Sequence, residues 1–101
     1  MKVQFTSAEI SIMQSALDRW GLNAQIGQAV EECAELIVIL QKYMNRMPQP
    51  ETADHILDEI ADVEMMLAQI RLALSIDDDV LRKKIESKFE LLSQYLADDE
   101  Q

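Results

Sequence analysis

The chain has 101 residues, 49% of them hydrophobic, which suffices for one domain with a core and is short for two. Two glycines and two prolines exclude collagen-like and linker-rich architectures, and the apolar mass of Leu, Ile, Ala and Met favours helix over strand. Nineteen acidic against nine basic residues give a formal net charge of -10, which argues against a generic binder of DNA or RNA and against attraction to anionic membranes.

Cys33 is the sole cysteine, so no intrachain disulfide framework is available. The longest apolar run, Leu36 to Leu40, is far below the roughly 20 residues needed to span a bilayer. Met1 to Thr6 lacks the apolar stretch of a leader. The expected setting is soluble, reducing and cytoplasmic.

Four helices are predicted, with no internal repeat. The first runs from Ser7 to Trp20, with Thr6 as N-cap, Glu9 completing a capping box and Gly21 at the C-cap. Ile10, Met13 and Leu17 share one of its faces. The second begins after Asn23, read as its N-cap, and runs to Arg46. Its apolar stripe is Ile26, Val30, Cys33, Ile37, Leu40 and Met44. Met47-Pro48-Gln49-Pro50 breaks the chain, and Thr52 is expected to open a third helix running to Leu74. The third stripe is Ile56, Ile60, Val63, Leu67, Ile70 and Leu74. After Ser75-Ile76, Asp77 is the expected N-cap of the fourth helix, with Asp78 and Asp79 at the positive end of its dipole. Val80, Leu81, Ile85, Phe89 and Leu92 are its expected buried side, and residues 97–101 an acidic frayed tail. Short connections between long helices imply a single domain over 1–101, an all-α four-helix antiparallel bundle. Helices two and three are apolar on more than one side, which points to a subunit interface beside an internal core.

The acidic residues within these apolar stretches carry the chemistry. Glu32 and Glu35 are three apart on helix two, and Glu59 and Asp62 three apart on helix three, so each pair projects from one face. Glu31 lies four before Glu35, at the edge of the same patch. Folding back at residues 47–49 brings the two pairs to within about one turn of each other. Like charges so gathered repel and lose hydration, and hard divalent cations relieve both penalties. An oxygen-only set suits Mg²⁺, with Mn²⁺ as a substitute, rather than zinc. A di-iron bundle would want Glu-x-x-His, and the only histidine, His55, has Thr52 three residues before it. His55 therefore reads as a surface or capping residue, and Cys33 as a core thiol.

The pattern EExxE on one helix and ExxD on the next resembles the all-α nucleoside triphosphate pyrophosphohydrolases, the MazG-like superfamily. The likeness runs from Trp20 to Phe89 and is carried by WGLNAQIGQAVEECAELIVILQKY and ILDEIADVEMMLAQIRLAL. It implies that Glu32, Glu35, Glu59 and Asp62 hold Mg²⁺ and that Glu31 is a further carboxylate, for a second metal or the attacking water. It implies α–β cleavage of a nucleoside triphosphate to the monophosphate and pyrophosphate, in a homodimer or homotetramer. Lys42, seven residues after Glu35, reaches toward phosphate on this reading, and Arg46 less so. Lys84 and Lys88 occupy the basic region of the family's fourth helix, without its Asn and its Arg-Tyr ending. Trp20 is a candidate to stack on a base, and Gln25 and Gln28 to read a base edge. Two alternatives stand beside this reading: a phosphoribosyl-ATP pyrophosphohydrolase-like enzyme, and a non-catalytic acidic helical protein that binds metal or nucleotide.

Overall fold

A computed structural model describes residues 4–45 and 50–99. Its four helices are α1 (Ser7–Trp20), α2 (Leu22–Asn45), α3 (Pro50–Ala73) and α4 (Asp78–Asp99), and no strand occurs among the described residues. The expected end of helix two at Arg46 and the break at Met47 to Gln49 lie outside those residues.

Local chemistry sets most of the boundaries. The Thr6 hydroxyl accepts from the Glu9 backbone N–H at 3.1 Å while the Glu9 carboxylate accepts from the Thr6 N–H at 2.8 Å, closing the capping box. Gly21, at φ 87°, turns the chain, its N–H donating to the Leu17 carbonyl and its own carbonyl accepting from Gln25. One residue is enough for this turn, so α2 starts at Leu22 and Asn23 lies inside it, not at its cap. Pro50 occupies the first position of α3, where its missing N–H costs nothing, and Thr52 lies within the helix rather than opening it. At the other end of α3, Ser75 adopts φ 53°, the Ile76 N–H bonds the Arg71 carbonyl and the Ser75 N–H the Leu72 carbonyl. That is a Schellman motif with serine at the left-handed position. Asp77 caps α4 as expected, its carboxylate accepting from the Asp79 N–H at 2.7 Å. The helix then continues through Asp99.

Packing departs from the sequence expectation in two ways. Within one chain α2 and α3 form the main contact and α1 touches both, but α4 makes no close approach to any of them. The chain is therefore a three-helix unit with an unpacked fourth helix, not a closed four-helix bundle. Its radius of gyration, 16.7 Å, exceeds the roughly 13 Å of a compact chain this long. No residue of α4 is buried; Val80, Phe89 and Leu92 are exposed and only Leu81 and Ile85 are half-buried.

The second departure concerns which stripe of α2 meets α3. The seam uses Gln25, Ala29, Glu32, Leu36 and Ile39 of α2, with Glu59, Asp62, Met66, Gln69 and Ala73 of α3. These are all buried or half-buried. The expected core stripe of α2 is instead largely open: Val30 is 63% exposed, Ile37 58% and Met44 73%, with Cys33 alone half-buried. On α3, Ile60 and Leu67 are exposed, as is Leu74 just past its end, while Ile56, Val63 and Ile70 are half-buried. The small core consists of Met13 and Leu17 of α1 with Ala29, Met66 and Ala68. Among the described residues, no helix is long and apolar enough to cross a membrane.

Candidate metal centre

The antiparallel seam places acidic side chains at matching levels. Glu32, Glu59 and Asp62 each offer a carboxylate oxygen, and these atoms lie within 4.8 Å of one another. Glu35, exposed and outside that trio, is still close enough for its charge to act on Glu59. Three of the five carboxylates singled out in the sequence thus meet in one place, with Glu35 near them. Glu31 is exposed and outside this group.

Both α3 carboxyls respond to this setting. Loss of hydration is the largest cause raising the Glu59 pKa, followed by the charges of Glu35, Glu32 and Asp62. Asp62 is raised first by lost hydration and then by Glu32, with a smaller contribution from Asp58. Glu32 Oε2 and Glu59 Oε2 are shielded from solvent and accept no hydrogen bond. Among the described residues the only ion pair is Arg82 with Glu86, both on α4, so none of them forms an ion pair with the cluster. Clustered carboxylate oxygens with open acceptor positions are a donor set for a hard divalent cation.

A groove of about 410 Å³ runs from this cluster along the hairpin, lined by Glu35, Val38, Ile39, Lys42, His55 and Glu59. Lys42 thus stands on the carboxylate face. Neither His55 in the groove nor Asp58, whose charge acts on Asp62, was anticipated. Their signal was present in the spacing, since His55 lies four before Glu59 and Asp58 four before Asp62.

The remaining candidates lie elsewhere. Gln28 donates to Glu32 Oε1 at 2.9 Å and so belongs to the edge of the cluster. Gln25 is buried in the seam two turns from Glu32, where it presents no edge to solvent. Trp20 is exposed at the end of α1, with the Arg19 guanidinium 6.0 Å from its ring centre. At 1.5 Å per residue it is about 15 Å or more along the axis from Glu32. Lys84 and Lys88 sit on α4, away from the carboxylates of their own chain.

Compared with known protein families, curated proteins and solved structures, the chain matches none of them.

Proposed function

We propose that this protein is a divalent-cation-dependent nucleotide pyrophosphohydrolase, MazG-like in type, that cleaves nucleoside triphosphates between the α- and β-phosphates. The observation that carries the reading is the meeting of Glu32, Glu59 and Asp62 from two helices, with Glu35 near them and no ion pair to the cluster among the described residues. Those four residues would hold Mg²⁺, or Mn²⁺ in its place. Bound there, the cation supplies charge neutralisation at phosphate oxygens and a water of lowered pKa. Glu31, exposed beside the cluster, takes the role of general base toward that water. Lys42 at the far end of the groove attracts the phosphate chain. The seam itself shields two carboxylate oxygens from water, which strengthens their pull on a cation. Nucleotide pools and Mg²⁺ place such an enzyme in the cytoplasm, acting as an assembly of more than one copy.

A second reading is a binding protein without turnover, favoured by one observation: Lys84 and Lys88 do not reach the carboxylates of their own chain. A panel of nucleoside triphosphates with Mg²⁺ or Mn²⁺, with pyrophosphate and orthophosphate measured separately, decides between them. Pyrophosphate from at least one substrate supports the enzyme. Orthophosphate alone excludes α–β cleavage, and no turnover with either metal selects the binding protein.

A further inference from the structure

Two surfaces of this chain lack a partner. One is a face of the α2–α3 hairpin. On α2 the open residues Ile26, Val30, Ile37 and Leu40 each lie one position past a seam residue, and so do Ile60 and Leu67 on α3 and Leu74 just past its end. One position is a rotation of about 100°. In antiparallel helices, equal rotations away from the seam bring both stripes to the same side, so they form one apolar face. The α1 contact is on another flank of α3, where Ile10 and Met13 share a cavity of about 310 Å³ with Ala68 and Leu72. The other surface is α4, whose Leu81, Ile85, Phe89, Leu92 and Leu96 form a stripe with no other helix packed on it.

We propose that each of these surfaces is the other's partner in a second copy of the chain: α4 of one copy lies on the open α2–α3 face of its mate, and the exchange is reciprocal. Two observations select this occupant. The chain exposes 8244 Å², against about 5,800 Å² for a compact protein of its mass. The surplus matches the roughly 1,000–2,500 Å² that each member of a large obligate dimer loses on assembly. The lengths also agree, since α4 has 22 residues and α2 and α3 have 24 each. A reciprocal exchange satisfies both faces at once about a two-fold axis.

The test needs neither metal nor nucleotide, so its outcome is separate from that of the proposed activity. Light scattering on the full chain should return at least twice 11.6 kDa at micromolar concentration. Phe89→Glu with Leu92→Glu should return a single-chain mass with helical circular dichroism retained, as should Val30→Asp with Ile37→Asp if the first pair unfolds. Cys33 lies within the open stripe and reports the contact directly. Chains carrying Cys33→Ser with Ile85→Cys, Phe89→Cys, Leu92→Cys or Leu96→Cys are each mixed with the unsubstituted chain and oxidised gently. A mixed disulfide from at least one pairing is expected. A wild-type mass near 11.6 kDa overturns the proposal. So does a disulfide formed only between two Cys33 residues, which would mean hairpin against hairpin. An intrachain disulfide in Leu92→Cys alone, with no mixed species, would mean that α4 folds onto its own hairpin and would also overturn it.

Discussion

Adding Mg²⁺ to the metal-free protein should raise its melting temperature, and the size of the rise follows from the cluster. Three carboxylate oxygens already lie within 4.8 Å, while two oxygens on opposite sides of Mg²⁺ stand about 4.2 Å apart. Small side-chain rotations therefore close the site, and little folding free energy is lost to reorganisation. Unfolding separates Glu32 from Glu59 and Asp62, so the unfolded chain has no equivalent site. Cation binding then stabilises by RT ln(1 + [L]/Kd), about 2.7 kcal/mol at a hundredfold excess over Kd. For one chain of this length that is a rise of about 10–20 °C, and about the same if two chains, each with its own cation, melt as one unit. Differential scanning calorimetry against Na⁺ at equal ionic strength isolates the specific effect. Glu35→Gln or Asp62→Asn should shrink the Mg²⁺ shift and abolish turnover, yet leave the metal-free protein at least as stable, because one repelling charge is gone. Variants that melt earlier without metal and keep the full Mg²⁺ response would show that these carboxylates serve structure, and the site assignment would fail.

Other outcomes follow from single features. Glu59 and Asp62 are raised above their ordinary values of 4.5 and 3.8, so the folded state binds more protons than the unfolded one in the window above those values, and their contribution to metal-free stability falls as pH rises through it. Denaturant titrations between pH 4 and 8, compared with Glu59→Gln, read that slope; Glu9, lowered by its bonds to Thr6, contributes in the opposite direction and is common to both proteins. Ser75→Gly should stabilise by about 1 kcal/mol, because glycine meets no Cβ penalty at φ 53°, and an unchanged urea midpoint would count against it. Thr6→Ala should cost about 1 kcal/mol by removing one arm of the capping box, seen in the same titration. Gln69 is 5% exposed and its Oε1 has no partner, so Gln69→Met should stabilise by roughly 1–3 kcal/mol; a loss of stability would mean that the amide is bonded in solution.

The helices were legible because their punctuation is local. Thr6 with Glu9, Gly21 and Asp77 each act within a few residues, and each does its expected work. Asn23 and Thr52 misled because Gly21 and Pro50 already perform the turn and the start. The carboxylate meeting was legible too, since spacing of three on each helix and one short connection determine the levels. Packing was not. Periodicity finds an apolar stripe but does not say whether its own chain covers it. On α2 the richer stripe, Ile26 to Met44, is left open, and the stripe with Gln25, Ala29 and Glu32 is taken inside.

That inversion has a physical reason. A seam with Gln25, Glu32, Glu59, Asp62 and Gln69 in it is a weak basis for a hairpin, because the carboxylates repel and the amides gain little over water. Ala29 and Ala73 allow close approach there but supply little apolar area. What holds the seam from α1 is the cluster of Met13, Leu17, Met66 and Ala68, confined to one end of the hairpin. The acidic end has only half-buried Leu36, Ile39 and Ile56 among the described residues. Two agents can supply further support from different sides: a cation between the carboxylates, and a covering layer on the apolar face. Both act on the spacing of the same two helices. A cation that draws α2 and α3 together also sets the width of the face that α4 of a second copy would fill. Metal binding and assembly are therefore expected to favour each other, by the same factor in both directions.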